Sequence, residues 1–332
     1  MNGRQLFLYT AFILVIIGCN NTDTPEDILS RPPFAALTDS IQRFPSNASL
    51  LLQRGELLAQ HDKHELAYLD FKLAWEKQQT EEIAMAYISN LYLVNRPRQA
   101  VSLLEEAVKK FPGNSEFRRR LSEAYIQTGH SSKALEQYDS ILREDSTNFE
   151  AWYEKGMLLA EMKDTSGALQ AFERSYSLQP LSLNALPLAN LYAETKNPKA
   201  IALCDELIRK DSAGESLDPI FIKGIYYSNT KQSRHAVEQF DECIRKDWKF
   251  TDAYLEKGIV LYESKNIDEA LQTFKLASTI SPRNADTYYW QGRCFEAIGK
   301  KEEAIENYIR AYSLDRSFIE AKQHIDNLRK KR

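Results

Sequence analysis

Five histidines and four cysteines are the side chains in this 332-residue chain best suited to metal or nucleophilic chemistry. His61 and His64 stand three apart with Glu65 beside them, a spacing that can hold a metal ion. No further His or Cys lies nearby in sequence, so this trio reads as a solvated turn. His130, His235 and His324 stand alone. Cys204, Cys243 and Cys294 are separated by 39 and 51 residues, with no C-x-x-C or other ligand spacing, and read as small buried apolar residues. Cys204 and Cys243 fall in successive units, so a bridge between them stays open on sequence alone. No G-x-S-x-G, P-loop, G-x-G-x-x-G or H-E-x-x-H is present. Neither a catalytic site, a metal nor a cofactor is implied, and the chain reads as a non-enzyme.

What would position any functional side chain is a helical hairpin repeated along the chain. Residues 251–284 show it best: Tyr254, Gly258 and Leu261 recur at helical spacing, then Ala270, Leu271, Phe274 and Ala277, with Lys265-Asn266 as the turn and Pro282 as the stop. The alanine recurs as Ala67, Ala100, Ala134, Ala168, Ala200, Ala236, Ala270 and Ala304, in steps of 32 to 36 residues. Four residues after each stands Phe71, Leu104, Tyr138, Phe172, Cys204, Phe240, Phe274 or Tyr308, on the same helix face. Twelve before each stands Gly55, Ile88, Ser122, Gly156, Leu188, Gly224, Gly258 or Gly292. Glycine inside a helix is costly unless two backbones come close, so the columns read as small residues facing one another across a hairpin. A single hairpin cannot hide its apolar face, and stacked neighbours can.

The period and the columns Trp152…Gly156…Leu159…Ala168…Phe172…Pro180 and Tyr254…Gly258…Leu261…Ala270…Phe274…Ala277…Pro282 resemble the tetratricopeptide repeat family. The resemblance implies an all-α, right-handed superhelix of about eight repeats over residues 46–318. A capping helix at 33–45 precedes them and another at 319–332 follows. Asn47, Asn114, Asn148 and Asn284 precede first helices as N-caps. The fifth unit departs most, with Pro187 in its first helix and Leu188 and Cys204 in the two columns.

At the start, MNGRQ leads into LFLYTAFILVIIG (residues 6–18) and Cys19. The run is short for a bilayer span of about 20 residues and fits a signal-peptide core. Its end resembles the lipobox of bacterial lipoproteins. That resemblance implies removal of residues 1–18, lipidation of Cys19, and an envelope protein anchored by acyl chains, with the outer membrane favoured because Asn20 follows the cysteine. An uncleaved anchor is the alternative. Residues 20–32 are polar, with Pro25 and Pro32, and read as a flexible tether.

Net charge is −4 with both signs interspersed, which argues against nucleic acid as a partner. In the resembled family, the second, fifth, ninth and twelfth positions of the first helices line a concave groove. Carried onto this chain those positions give Met85, Tyr92, Arg119, Tyr153, Tyr192, Phe221, Tyr262, Tyr289 and Arg293, with Met157, Ile225, Leu255 and Ile259 among them. Aromatics and methionines there suit burial of a peptide or helix from a partner. Arg118-Arg119-Arg120 could receive an acidic tail, although Glu123 stands where the family's carboxylate clamp needs an asparagine. The implied function is a membrane-anchored scaffold for partner proteins or peptides. The alternative is a lipoprotein that binds a nutrient or glycan, and the nearly insertion-free repeat spacing counts against it.

Overall fold

Eight turns between helices share one backbone device, and it sets the repeat. In the turn after Tyr262, Lys265 adopts a left-handed conformation (φ 68°), its N–H donates to the Tyr262 carbonyl at 3.0 Å, and Asn266 N–H reaches back to the Leu261 carbonyl at 2.9 Å. This six-to-one closure satisfies carbonyls that the helix end would leave bare. Asp62, Asn95, Gly129, Lys163, Lys196, Lys231 and Gly299 take the same positive φ in the equivalent turns.

The computed structural model describes residues 24–330. Among them every regular element is a helix, and the chain divides into two compact units at Thr128. The first unit holds α1 (Pro25–Leu29), α2 (Ala35–Arg43), α3 (Ala48–Gln60), α4 (His64–Lys77), α5 (Glu81–Leu93), α6 (Pro97–Lys110) and α7 (Ser115–Gln127). The second holds α8 (Ser131–Glu144), α9 (Phe149–Glu161), α10 (Thr165–Leu178), α11 (Ser182–Glu194), α12 (Lys199–Lys210), α13 (Asp218–Asn229) and α14 (Ser233–Lys246). It continues with α15 (Thr251–Glu263), α16 (Ile267–Ile280), α17 (Ala285–Ala297), α18 (Lys301–Leu314) and α19 (Ile319–Lys330). Within each unit, from α2 onward, each helix packs against the next, the tetratricopeptide-type helix-pair solenoid.

Sequence reasoning placed the N-caps well. The side-chain oxygens of Asn47, Asn114, Asn148 and Asn284 accept backbone N–H groups at 2.8–3.3 Å. It missed α1: where polar composition suggested a tether, Thr24 and Asp27 close a reciprocal capping box and Pro25 opens a short helix. α11 runs through Pro187 without ending.

The glycine and aromatic columns belong to one joint. A Cβ on Gly258 would stand 2.4 Å from Cε1 of Phe274, and one on Gly224 2.4 Å from Cε1 of Phe240. Gly55, Gly156 and Gly292 meet Phe71, Phe172 and Tyr308 in the same way. The glycine therefore receives a ring from the partner helix, not the small alanine expected from sequence. Where the first helix carries Leu188 the ring is replaced by Cys204, and where it carries Ile88 by Leu104, so large and small trade places across the joint.

Candidate functional site

In the second unit the first helices α11, α13, α15 and α17 touch in series, whereas successive second helices do not approach as closely. Such a row bends with its first helices inside, which makes their exposed strip the recessed face of this unit. Second helices are tied to the next first helix by ion pairs that recur with the repeat: Lys155–Asp139 at 2.6 Å, Lys223–Asp205 at 2.8 Å and Lys257–Asp241 at 2.7 Å.

The structure gathers three of the nine groove candidates into one cluster. Arg293 of α17 donates from Nη1 to the Tyr289 hydroxyl at 3.2 Å and from Nη2 to the Tyr262 hydroxyl of α15 at 3.4 Å. Its guanidinium lies 5.4, 5.9 and 5.5 Å from the ring centres of Tyr262, Tyr289 and Trp290. Trp290 stacks flat on Phe274 (5.9 Å, 13°) and meets Tyr262 edge-on at 5.4 Å. Tyr289 rests against Phe318 at 4.9 Å and His324 of α19 at 5.9 Å, so the closing helix forms one wall. Tyr262, Tyr289 and Arg293 remain half-buried. Leu255 and Ile259 pack beside them and are also half-buried. Trp290 falls one residue after a groove position, so position counting passed over it; the run Tyr288-Tyr289-Trp290 was the available signal.

The other candidates lie apart from this cluster. Tyr153 leans on Phe172 (6.0 Å) and Phe221 on Phe240 and Phe250 (5.6 and 5.2 Å), each half-buried. Tyr192 is a correction: at 4% exposure it belongs to the core between α10, α11 and α12. Its hydroxyl donates to Glu173, which also takes Lys199 at 3.0 Å. Burial first, and the hydrogen bond to Glu173 second, push the Tyr192 hydroxyl up to about 12. In the first unit Met85 is half-buried and Tyr92 exposed. Arg119 is held by Glu116 and Glu123 of its own helix, Arg120 by Glu116 at 2.7 Å, and Arg118 donates to the Pro112 carbonyl at 3.3 Å. The arginine run is thus satisfied largely by its own helix and the preceding loop. The hydrogen bond from Arg119 holds the Glu116 carboxyl below its ordinary value.

Acidic groups lie in the N-terminal halves of α15 and α17. Glu256 of α15 is half-buried, and burial, then the charges of Asp252 and Glu263, raise its carboxyl. Asp286 is raised by burial and by Asp315 and Asp252.

His61 meets the Phe34 ring edge-on at 5.5 Å, and His64 faces Asp62 at 3.7 Å. Among the described residues no group of three or more His, Cys, Asp or Glu is arranged to hold a metal ion, and no helix is long and apolar enough to cross a membrane. Cys204, Cys243 and Cys294 are free, buried thiols, each pushed up to about 12 by burial. The bridge left open between Cys204 and Cys243 is therefore not formed. Cys19 and the apolar run before it lie outside the described residues.

One tetratricopeptide repeat model matches residues 91–158, and a second matches 149–180, 251–284 and 285–318. Tetratricopeptide repeats are thus detected in these stretches of the chain. It is 24% identical over 273 residues to a DnaJ homolog subfamily C member 7 homolog of Dictyostelium discoideum, covering 78% of this chain and 47% of that protein. To a peroxisomal targeting signal receptor of Kluyveromyces lactis it is 20% identical over 212 residues, covering 58% of this chain and 35% of that one. It thus spans about half or less of the length of these curated relatives. Among solved structures, PilW, a type IV pilus biogenesis factor, superposes with a TM-score of 0.53 at 18% identity, covering 64% of this chain and 97% of PilW. That likeness is one of fold.

Proposed function

We propose that this protein is a tetratricopeptide-repeat scaffold that captures a partner protein in the recessed first-helix strip of its second unit, while a lipid on Cys19 holds it to a bacterial envelope membrane. The observation that carries the capture reading is the half-buried strip Phe221, Ile225, Leu255, Ile259, Tyr262 and Tyr289, continuous across α13, α15 and α17. Side chains that fill the joints between helices are fully buried, as Phe274 is, whereas these keep part of their apolar surface open. Apolar and aromatic surface left in a recess gains most when a partner covers it. The anchor reading rests on the sequence before Cys19. Several acyl chains give far firmer attachment than one, at about 0.8 kcal/mol per buried CH₂. Assembly or organisation of envelope complexes is the process such a tethered scaffold would serve.

The test places a photo-crosslinking residue at Tyr262 in intact cells, with a control at exposed Glu306 of α18. Discrete protein adducts at Tyr262 alone are expected. No adduct at Tyr262 refutes capture on this strip. Cys19→Ser should move the chain from the membrane fraction to the soluble one, and unchanged sedimentation with membranes refutes lipid anchoring at that residue.

A further inference from the structure

We infer that Arg293 is the receptor for a single side-chain carboxylate, carried by an otherwise apolar segment of the captured partner. This deepens the capture reading and rests on it.

Among the described residues, cations in comparable places are neutralised within the chain. Lys155, Lys223 and Lys257 each meet an aspartate at 2.6–2.8 Å, Arg54 grips Asp70 with two bonds of 2.7 Å, and Arg119 lies between Glu116 and Glu123. Arg293 has no carboxylate in ion-pair contact among the described residues. The acid one turn along its own helix, Glu296, is taken by the Tyr308 hydroxyl at 2.8 Å and by His324 at 2.9 Å. Two of the five guanidinium donors reach tyrosine hydroxyls, at 3.2 and 3.4 Å, and hydroxyls are neutral. The three rings around it favour a cation without neutralising it. A half-buried cation has lost hydration, and a counter-anion restores what water supplied. Since the described residues offer none, the site is open for one from outside, in a planar fork that takes a carboxylate through two parallel bonds.

The surroundings restrict the rest of the ligand. Leu255 and Ile259 beside the cluster call for apolar side chains. Asp252 and Asp286 lie in the first turns of α15 and α17, and Glu256 in the second turn of α15. Burial raises the Glu256 and Asp286 carboxyls, helped by the charges of Asp252 and Glu263 on Glu256 and of Asp315 and Asp252 on Asp286. A second acid there would be repelled and a lysine welcomed. The ligand is thus an apolar segment with one acid seated on Arg293 and a basic residue toward these carboxyls.

The test uses the full-length chain labelled with 5-fluorotryptophan, because Trp290 lies 5.5 Å from the guanidinium and reports through its fluorine resonance. That resonance is assigned with Trp290→Phe. The probes are acetyl-Lys-Leu-Leu-Glu-amide, its glutamine counterpart, and inorganic phosphate. A charge-assisted fork predicts that the Glu peptide shifts Trp290 saturably, binding about tenfold or more tighter than the Gln peptide. Arg293→Gln should abolish that difference, and Arg293→Lys, which keeps charge but loses the fork, should reduce it. Equal shifts from the Glu and Gln peptides would overturn the carboxylate assignment while leaving capture on the strip intact. An equal shift from phosphate would replace it with a general anion site. No shift of Trp290 by any probe would remove the site altogether, whereas failure of capture itself is read separately from crosslinking at Tyr262.

Discussion

Gly258→Ala tests the joint on which every repeat is built. By helix propensity alone this substitution should help, since alanine inside a helix is worth about 1 kcal/mol over glycine. The structure argues the reverse. The added Cβ would lie 2.4, 2.6 and 2.9 Å from Cε1, Cζ and Cδ1 of Phe274. Carbon atoms rest at about 3.5–4.0 Å, so the ring or the helix must yield by about 1 Å or more. Phe274 is 0% exposed and stacked on Trp290, which leaves the ring nowhere to swing. Overpacking of this kind costs about 1–3 kcal/mol, with clashes this deep toward the upper end. After subtracting the helix gain, the expected net loss is about 1–2 kcal/mol, measured by urea denaturation followed by circular dichroism. Phe274→Leu should rescue part of it, because Leu188 with Cys204 and Ile88 with Leu104 show that the joint accepts volume moved from one helix to the other. In a double-mutant cycle the combined variant should be about 1 kcal/mol better than additive. Gly113→Ala, where an added Cβ meets nothing within 4 Å, is the control and should be near neutral. If Gly258→Ala matches or exceeds the parent in stability, the ring does not fill the glycine and the account of the repeat is wrong.

Lys265 holds φ at 68°, a region that costs a β-carbon about 1 kcal/mol, so Lys265→Gly should raise stability by a few tenths to 1 kcal/mol in thermal melts, while Gly299→Ala at φ 78° should lower it. Asn90 is 2% exposed, and neither atom of its amide has a hydrogen-bond partner. The same repeat position in α9 holds buried Leu158, so Asn90→Leu should stabilise the first unit by about 1–2 kcal/mol in urea titration. Glu256 ionises less readily in the folded chain than unfolded, so its contribution is fully present below the unfolded value and is lost as pH rises through the folded one. Glu256→Gln should therefore raise the melting temperature at pH 7, with the gain vanishing as pH falls through the carboxylate range; a gain that persists in acid would show that charge is not the cause.

How much of this was legible follows from which residues carry local information. Helix pairs, turns and asparagine caps could be read because each is set by a few consecutive residues and repeated. The glycine–ring joint was half legible: both columns stood in the sequence, but pairing the glycine with the ring sixteen residues on, rather than the alanine twelve on, required knowing how deeply the two helices interlock. Groove positions carried over from the family found Tyr262, Tyr289 and Arg293, and failed at Tyr192 for a local reason. α11 packs against α12 and unusually closely against α13, and Glu173 offers the hydroxyl a partner, so a position open elsewhere is shut there. The arginine run failed in the opposite way. Glu116 precedes Arg119 by three residues and Arg120 by four, and Glu123 follows Arg119 by four, so their neutralisation was written at helical spacing and needed only to be counted. Applied to Arg293, the same count finds Glu296 three residues on, which would have dismissed the site. Only the structure shows that carboxylate turned to Tyr308 and His324, and that diversion is what leaves the guanidinium, among the described residues, without an ion-pair partner in its ring of aromatics.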